Sequence, residues 1–238
     1  MVSLIMEVLM NNILNLVEKN HKKDISFNVH NMFNAGFSGR DQKNVQKHVL
    51  ELAKIGVPAP NAIPMLFPVS SNLATTSQNI QVQHSYTSGE IEYVLLWDKD
   101  NLYITVGSDH TDRLAEKYGI PLSKQAYPNI LAPSVWLFSD IKEHFDQIEI
   151  LCRVIQGSSM VIYQKGKLED LLPPGKWAKQ FNEKKVNNTG NIFFSGTIDT
   201  KEGALIFGDR YILELNDPVL NRSIKHEYSV EVLQTPIL

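Results

Sequence analysis

The hydrophobic positions of this chain repeat with two periods, and the shorter period dominates. From about residue 80 onward, short stretches alternate apolar and polar residues, with turn-forming residues between them. Such alternation is typical of β-strands that bury one face. It predicts strands over 80–86, 90–97, 102–108, 147–155, 159–164, 191–195, 204–207, 210–215 and 223–233.

A helical period occurs in fewer places. An amphipathic N-terminal helix, packed on the domain or on a partner subunit, is predicted by Leu4, Ile5, Val8, Leu9, Ile13, Leu16 and Val17. The stretch 41–56 predicts a second helix with Asp41 as its N-cap and Gly56 as its stop. Shorter helices are expected near 112–118, 139–145 and 175–185.

Two stretches between these helices predict extended chain. Residues 24–30, "DISFNVH", favour a strand. Residues 57–72 contain four prolines, which exclude a regular helix or a central strand and predict an extended connector. Many short strands with few helices indicate an α+β, β-rich sandwich or roll, and the absence of regular strand–helix alternation argues against a doubly wound sheet.

Composition narrows the class of protein. The chain has 238 residues, of which 43% are hydrophobic and 21% charged, which suits one large domain or one domain with a small appendage. The net charge is −3 without a basic run, so we expect no nucleic-acid partner. Cys152 is the only cysteine, which excludes an internal disulfide and a CxxC zinc site and fits a reducing cytoplasm.

The apolar N-terminus lacks the features of a targeting or membrane segment. Glu7 interrupts it, no basic region precedes it, and no small-residue cleavage site follows. It is too short and too broken to cross a bilayer. We therefore expect a cytoplasmic protein with no membrane partner.

A predicted hairpin brings three carboxylates together. If 98–101, "DKDN", forms the turn, Trp97 pairs with Leu102 and Glu90 lies opposite Asp109. Side chains alternate along a strand, so Glu92 shares the face of Glu90. Opposed Cβ atoms lie about 5 Å apart, and like charges at that distance repel unless a cation lies between them.

An oxygen-only set of ligands suits a hard divalent cation, Mg²⁺ first and Mn²⁺ or Ca²⁺ next. Such a site leaves positions for water and substrate. The alternative is a solvent-facing strand with no metal, since Glu and Asp are mostly exposed. His110 follows Asp109, belongs to the other face of the strand, and is expected to be structural.

His48 and Glu51 are one helical turn apart, at the edge of the apolar stripe of the second predicted helix. A neutral His48 oriented by Glu51 could act as a general base on water. The alternative is a surface His–Glu pair that stabilises the helix slightly.

Four further residues are candidates for substrate binding. Lys124 could hold a carboxylate or a developing oxyanion and Gln125 could donate a hydrogen bond, although a solvated lysine is the default. Thr197 follows Gly196, which permits close approach of a ligand, and the alternative is a turn threonine. Arg40 is a weaker candidate for an acidic substrate. Arg113 is expected at a helix start or in a salt bridge of the fold, and not as a substrate group.

These motifs, in this order, resemble the fumarylacetoacetate hydrolase family in its compact single-domain form. The resemblance covers about 34–228 and rests on H-x-x-E, "VPAP", "PMLFPVSS", E-x-E, Asp followed by Arg four residues later, G-[IL]-P with a Lys, and late G-T, G-D and N-R motifs. It extends to a branch whose members are described only as a domain of unknown function. "GSDHTDR" departs from the family's usual N-D-x-[ST]-x-R-D, and Ile198 replaces the proline after the threonine.

The resemblance implies a set of roles. Glu90, Glu92 and Asp109 would bind Mg²⁺, His48 and Glu51 would activate water, and the family's substrate-side lysine and threonine match Lys124 and Thr197. The implied reaction is hydrolysis of a C–C bond in a β-dicarbonyl, acylpyruvate-like acid. Relatives that decarboxylate, isomerise or hydrate small 2-oxo acids use the same metal platform and are the alternative.

The resemblance also implies a homodimer and a catalytic domain over 34–238, preceded by an N-terminal helix and strand over 1–33. Two other classes remain as rivals. One is a non-catalytic binding protein with this fold, which would not need a general base. The other is a metal-dependent phosphohydrolase, which "SDHTD" suggests but which would need more histidine ligands in register.

Overall fold

The computed structural model describes residues 12–54, 60, 62–99, 101–185 and 188–234, without the side chains of His48, Glu51, Leu52, Lys54, Ala178 and Lys184. The strands are β1 Asn12–Glu18, β2 Lys23–Val29, β3 Asn31–Gly36, β4 Met65–Val69, β5 Ala74–Thr75, β6 Asn79–Val82, β7 Thr87–Asp98, β8 Asn101–Asp112, β9 Asn129–Leu131, β10 Ser134–Leu137, β11 Glu149–Gln156, β12 Ser159–Lys167, β13 Asn191–Phe194, β14 Arg210–Asp217 and β15 Arg222–Val232. The α-helices are α1 Gln42–Lys54, α2 Ile120–Gln125, α3 Phe138–Ile141 and α4 Pro174–Lys184. Short 3₁₀ segments cover Ser71–Leu73, Ala115–Tyr118, Lys142–Gln147 and Leu168–Asp170.

The strands form two sheets that pack on each other. The larger sheet has ten strands, with the order β2-β1-β10-β8-β7-β13-β3-β4 and with β5 and β9 attached beside β8. The smaller sheet has five strands in the order β12-β11-β14-β15-β6. One apolar cluster contains side chains from both sheets, including Tyr93 of β7, Val106 of β8 and Leu213 of β14. The main core therefore lies between the two sheets.

The long hairpin β7–β8 is buried on both faces. Successive residues of β7 enter different clusters: Tyr93 and Leu95 belong to the core between the sheets, and Val94 and Leu96 belong to a second cluster with β1 and β2. Because side chains alternate across a strand, these clusters lie on opposite faces of the larger sheet. A polar side chain on this hairpin is consequently held in a largely dry environment.

The β-rich fold class predicted from the alternating pattern is confirmed. Eight of the nine predicted strand segments coincide with strands of the structure, and the short helices near 112–118, 139–145 and 175–185 are also present. The segment 204–207 was wrongly predicted, because it forms an irregular connection before β14. No helix in the described ranges is long and apolar enough to cross a membrane.

The second predicted helix is α1, and its cap is the predicted one. The carboxylate of Asp41 accepts hydrogen bonds from the backbone N–H groups of Lys43, at 2.9 Å, and Asn44, at 3.4 Å. These are donors that the helix leaves unpaired at its first turn. Gly56, the predicted stop, lies outside the described residues. The described residues of the proline-rich connector 57–72 form β4 and the start of the 3₁₀ turn Ser71–Leu73. Pro68 is tolerated in β4 because β4 is the outermost strand of its sheet.

The predicted N-terminal helix is wrong over the part that the structure describes. Residues 12–18 form strand β1, in which Leu14 and Leu16 are buried while Ile13 and Val17 are exposed. β1 pairs with β2 antiparallel and with β10 in parallel. β2 pairs with the whole of β1, and β10 pairs with its last two residues, Val17 and Glu18. This pairing, with the alternation of Leu14 and Leu16, prevailed over the helical spacing. Leu4, Ile5, Val8 and Leu9 lie outside the described residues.

Candidate metal centre

The hairpin has the predicted register. Glu90 pairs with Asp109, Trp97 with Leu102, and Glu92 with Gly107. One carboxylate oxygen from each of Glu90, Glu92 and Asp109 can be chosen so that all three lie within 4.8 Å of one another. Glu92 and Asp109 are fully buried. The expected alternative, a solvent-facing row of acids, is therefore wrong for these two residues.

Two oxygen atoms in this cluster fit a bound cation. Glu92 Oε1 and Asp109 Oδ1 are buried and have no hydrogen-bond partner among the described residues. A buried acceptor without a partner destabilises a fold by about 1–3 kcal/mol, and more when it is charged. Carboxylate oxygens are the ligands that Mg²⁺, Mn²⁺ and Ca²⁺ prefer. The donor set and the unpartnered oxygens thus suit a hard divalent cation.

Lys124 lies inside the cluster and not in solvent. It is in the last turn of α2, is 6% exposed, and contacts Asp109 Oδ2 and Glu90 Oε2, the latter at 3.4 Å. Burial alone would lower the pKa of Lys124, but the charges of Asp109 and Glu90 outweigh it and raise that pKa. Lys124 is therefore a charged ammonium, and the solvated lysine expected by default is wrong.

Arg113 holds the outermost carboxylate of the cluster. Its Nη2 lies 3.0 Å from Glu90 Oε1, its Nη1 lies 2.9 Å from Glu116 Oε1, and its Nε donates to Ser88 Oγ at 2.8 Å. Burial would raise the pKa of Glu90, but the charges of Arg113 and Lys124 lower it to about 2. The salt bridge expected for Arg113 is confirmed, and its partner is one of the candidate metal ligands.

The two innermost carboxylates, Glu92 and Asp109, have raised pKa values, in contrast to Glu90. Burial and the neighbouring charge of Asp109 raise the pKa of Glu92 well above its ordinary value. Burial also raises the pKa of Asp109, although Lys124 acts against it. A carboxylate that is costly to ionise becomes an anion readily once a dication lies beside it. Glu92 and Asp109 are thus two buried carboxylates whose ionisation a dication beside them could stabilise.

The backbone of Gly196 orients Glu92. Its N–H donates to Glu92 Oε2 at 2.8 Å. Gly196 has φ +78°, and a Cβ there would meet Ser38 Oγ at 2.0 Å, so the position requires glycine. Ser38 Oγ in turn donates to the carbonyl of Ser195 at 2.6 Å. Glu92 Oε1 has no partner in the part of the chain that the structure describes and is therefore able to bind a ligand.

Thr197 lies on the backbone of β7 between the two glutamates. Its hydroxyl donates to the carbonyl of Ile91 at 2.7 Å and accepts from Gln164 Nε2 at 2.8 Å. The structure therefore brings together Glu90, Glu92, Asp109, Lys124 and Thr197 from four separate segments.

The remaining predicted residues have other contacts or are not described. Gln125 exchanges hydrogen bonds with Ser70, at 3.0 Å to its backbone N–H and 2.8 Å to its hydroxyl. Arg40 forms a two-pronged ion pair with Asp146, with both N–O distances 2.7 Å. The side chains of His48 and Glu51 lie outside the described residues, although the backbone of their helix α1 is described.

His110 is structural, as expected. Its ring is fully buried on the other face of β8, with Nδ1 3.1 Å from Tyr228 Oη and Nε2 3.0 Å from Thr87 Oγ1. Burial lowers its pKa to about 3, so the ring is neutral at physiological pH.

The sequence marks Gly196 only as the neighbour of Thr197 and gives no role to Ser38, Asn34 or Asn129. Gly196 and Ser38 support Glu92 through the backbone. Asn34 donates to Asn129 at 2.7 Å, and Asn129 pairs in register with Asp109. None of these contacts has a local sequence signal, because their partners are distant in the chain.

A comparison with protein families finds one match. Residues 35–228 match the model of the family described as "Protein of unknown function (DUF2848)". The chain belongs to this family. No curated protein matches it.

Solved structures with the same fold are distant in sequence. Cg1458 with an inhibitor has a TM-score of 0.60 and 15% identity, over 86% of this chain and 78% of that one. 2-Keto-3-deoxy-D-arabinonate dehydratase complexed with magnesium and 2,5-dioxopentanoate has a TM-score of 0.59 and 12% identity. The match covers 90% of this chain and 86% of that one. 4-Oxalocrotonate decarboxylase from Pseudomonas putida G7, complexed with calcium and acetate, has a TM-score of 0.52 and 10% identity. The match covers 84% of this chain and 76% of that one.

These structures confirm the fold that the resemblance implied. This DUF2848 chain shares the β-rich architecture of the dehydratase and the decarboxylase. At such identities the likeness shows the fold and not the activity.

Proposed function

We propose that this protein is a divalent-metal-dependent enzyme that acts on a small 2-oxo acid through an enolate, as a lyase of the dehydratase or decarboxylase type. The observation that carries the proposal is the buried Glu90–Glu92–Asp109 cluster, with two unpartnered oxygens beside a charged lysine. Desolvated acids gathered around one point are unfavourable for stability and are typical of functional sites.

Glu90, Glu92 and Asp109 would hold the metal, for which Mg²⁺ is the first candidate and Mn²⁺ or Ca²⁺ the next. A bound dication supplies Lewis-acid polarisation of a 2-oxo carbonyl. Arg113 keeps Glu90 ionised and in place, and Gly196 N–H fixes Glu92, so the carboxylates are positioned before substrate arrives.

Lys124 would bind the substrate's carboxylate or its developing enolate oxygen. Its ammonium is desolvated and held by Asp109 and Glu90, so it can donate a hydrogen bond without reorganisation of water. Thr197 would border the substrate from the edge of β7 that faces away from β8. Gln125 and Arg40, engaged with Ser70 and Asp146, would contribute only by leaving those partners.

The relatives support a lyase. One is a dehydratase with magnesium and 2,5-dioxopentanoate, and another is a decarboxylase with calcium and acetate. Their names share oxo-acid chemistry and their complexes share a divalent metal. A common platform that stabilises an enolate would serve either reaction.

The second candidate is hydrolysis of a C–C bond in an acylpyruvate-like acid, with His48 and Glu51 activating water. The observation in its favour is the anchoring of the segment before α1. Ser38 bonds to Ser195, whose neighbour Gly196 binds Glu92, so the loop leading into the helix of His48 is tied to the candidate metal centre.

Residues 34–238 would form the catalytic unit, because all residues of the centre fall within them. A homodimer remains part of the proposal. A binding protein is the weaker alternative, because a binding site does not require buried acids of raised pKa beside a charged lysine.

The test is metal-dependent exchange of hydrogen at C3 of 2-oxo acids. Enolisation is common to these reactions, so wild-type protein with Mg²⁺ should speed deuterium incorporation into 2-oxopentanoate, followed by NMR, and Glu92→Gln should abolish it. Thr105→Val is the matched control, since Thr105 is buried in the same hairpin and bonds only to backbone carbonyls. Absence of metal binding in the wild type would refute the proposal, and metal binding with no exchange on any 2-oxo acid would favour a binding protein.

A further inference from the structure

Gln164 is a buried polar residue that a β-bulge directs into the space between the sheets. Cys152 of β11 pairs with Gln164, but the next residue, Arg153, pairs with Ile162, so Tyr163 is the extra residue of β12. Tyr163 and Gln164 are both buried, whereas strict alternation would expose one of them. Bulges of this kind re-aim side chains and are frequent beside active sites.

The amide of Gln164 joins three backbone segments. Its Oε1 accepts a hydrogen bond from the N–H of Ile91 at 3.1 Å. Its Nε2 donates to Thr197 Oγ1 at 2.8 Å and to the carbonyl of Ile198 at 2.6 Å. Both N–H donors and the oxygen are therefore used, and the side chain is 1% exposed.

The hydrogen bonds of Gln164 and Thr197 take the place of ladder bonds to β7 at Ile91, which β13 does not reach. β13 pairs with β7 at Val94, Leu95 and Leu96, and its last residue is Phe194. Beyond that end, no strand among the described residues pairs with the N–H and C=O of Ile91 on this side. Gln164 accepts from the N–H, and Thr197 donates to the C=O at 2.7 Å.

Ile91 lies between Glu90 and Glu92, so the bridge acts on both ligands. On one side it fixes the strand from which the two glutamates project. On the other side it fixes the 195–198 loop, whose Gly196 N–H donates to Glu92 Oε2. Movement of either segment would change the separation of the carboxylate oxygens.

We propose that Gln164 is a positioning residue of the metal centre, which sets the geometry of Glu90 and Glu92 by holding the Ile91 backbone against the Thr197 loop. It contacts neither metal nor substrate. The inference rests on the proposed function, because it requires that the cluster binds a metal. Residues that orient metal ligands typically change metal affinity by about 10- to 100-fold when they are replaced.

The experiment measures Mn²⁺ affinity of the full chain by calorimetry, together with the melting temperature. Gln164→Met keeps the length of the side chain and removes all three hydrogen bonds. Mn²⁺ affinity should fall by about 10- to 100-fold. Thr105→Val is the control, since it removes buried hydrogen bonds to backbone elsewhere in the hairpin and should lower the melting temperature without changing affinity.

Variants at Thr197 test the same bridge with Gln164 intact. Thr197→Val should weaken Mn²⁺ binding, and Thr197→Ser, which keeps the hydroxyl, should restore it. This pair also provides the test if Gln164→Met does not fold.

The outcomes separate the two hypotheses. Wild type that binds no Mn²⁺ would refute the proposed function and this inference together. Wild-type binding with Gln164→Met, or Thr197→Val, within two-fold of it would refute only the positioning role. An equal loss of affinity in Thr105→Val would also refute that role, because affinity would then follow general stability.

Discussion

The ammonium of Lys124 contacts the carboxylate of Asp109, and both side chains are almost completely removed from water. Lys124 comes from α2 and Asp109 from the central hairpin. The contact places a fixed positive charge at the point where the three carboxylates meet. The Lys124 ammonium and the metal that we propose would therefore share Asp109 and Glu90 as ligands.

Replacement of Lys124 by methionine should separate metal binding from catalysis. Lys124→Met removes a cation that competes for Asp109 and Glu90, so Mn²⁺ affinity should rise. Turnover of a 2-oxo acid should fall by about 10²- to 10³-fold, because the enolate loses a positioned donor. Calorimetry and steady-state kinetics check both effects. Lys117→Met, a nearby exposed lysine, is the control, and wild-type turnover in Lys124→Met would remove this residue from the mechanism.

Neutralising Glu92 should stabilise the protein while abolishing metal binding. Glu92→Gln removes a carboxyl that ionises in the unfolded chain but is costly to ionise when buried beside Asp109, so the free energy of unfolding without metal should rise by about 1–3 kcal/mol at neutral pH. Mn²⁺ affinity should fall by more than about 100-fold. Thermal unfolding and calorimetry measure these changes. Glu214→Gln, in the smaller sheet, should leave metal affinity unchanged. A less stable Glu92→Gln would contradict the electrostatic account.

Replacement of His48 distinguishes hydrolysis from the lyase reactions. If His48 activates water, His48→Ala should lower turnover of an acylpyruvate by about two to four orders of magnitude and leave metal affinity intact. Glu51→Gln should have a smaller effect of the same kind. Gln46→Ala, exposed on the same helix, is the control. Full activity of His48→Ala on a substrate that the wild type cleaves would exclude the hydrolytic role.

Acid should destabilise the protein through Asp217. Burial would raise the pKa of this carboxyl, but hydrogen bonds from Leu220 N–H, His144 and Arg222 lower it below the ordinary 3.8. Its stabilising effect is therefore complete above the ordinary value and is lost as the pH falls below it. As the pH falls from about 4 through the lowered folded-state pKa, the melting temperature of the wild type should drop more steeply than that of Asp217→Asn. Equal slopes would show that Asp217 does not contribute.

A homodimer is expected in solution. Sedimentation at micromolar concentration should give twice the 27.0 kDa mass of one chain. A single species of 27.0 kDa would rule out this part of the proposal.

The sequence by itself determined the hairpin and its register. Alternation along β7 and β8 and the length of the turn at 98–101 are local properties, and they place Glu90 opposite Asp109 without reference to the rest of the fold. The N-cap of α1 is local in the same sense, because Asp41 bonds to donors two and three residues away. The N-terminal segment was ambiguous. Ile13 and Val17 fit a helix, Leu14 and Leu16 fit a strand, and pairing with β2 and β10 decided between them.

Only the tertiary structure decided how the carboxylates are surrounded. Gly196 reaches Glu92 across 104 residues, and Gln164 reaches Ile91 across 73. The sequence around Lys124 is typical of a surface lysine, but in the structure α2 places Lys124 against Asp109. These contacts depend on how the two sheets and the connecting loops pack, and no pattern within one segment encodes that packing. The ligand types could therefore be predicted from the chain alone, whereas their burial, charge and orientation could not.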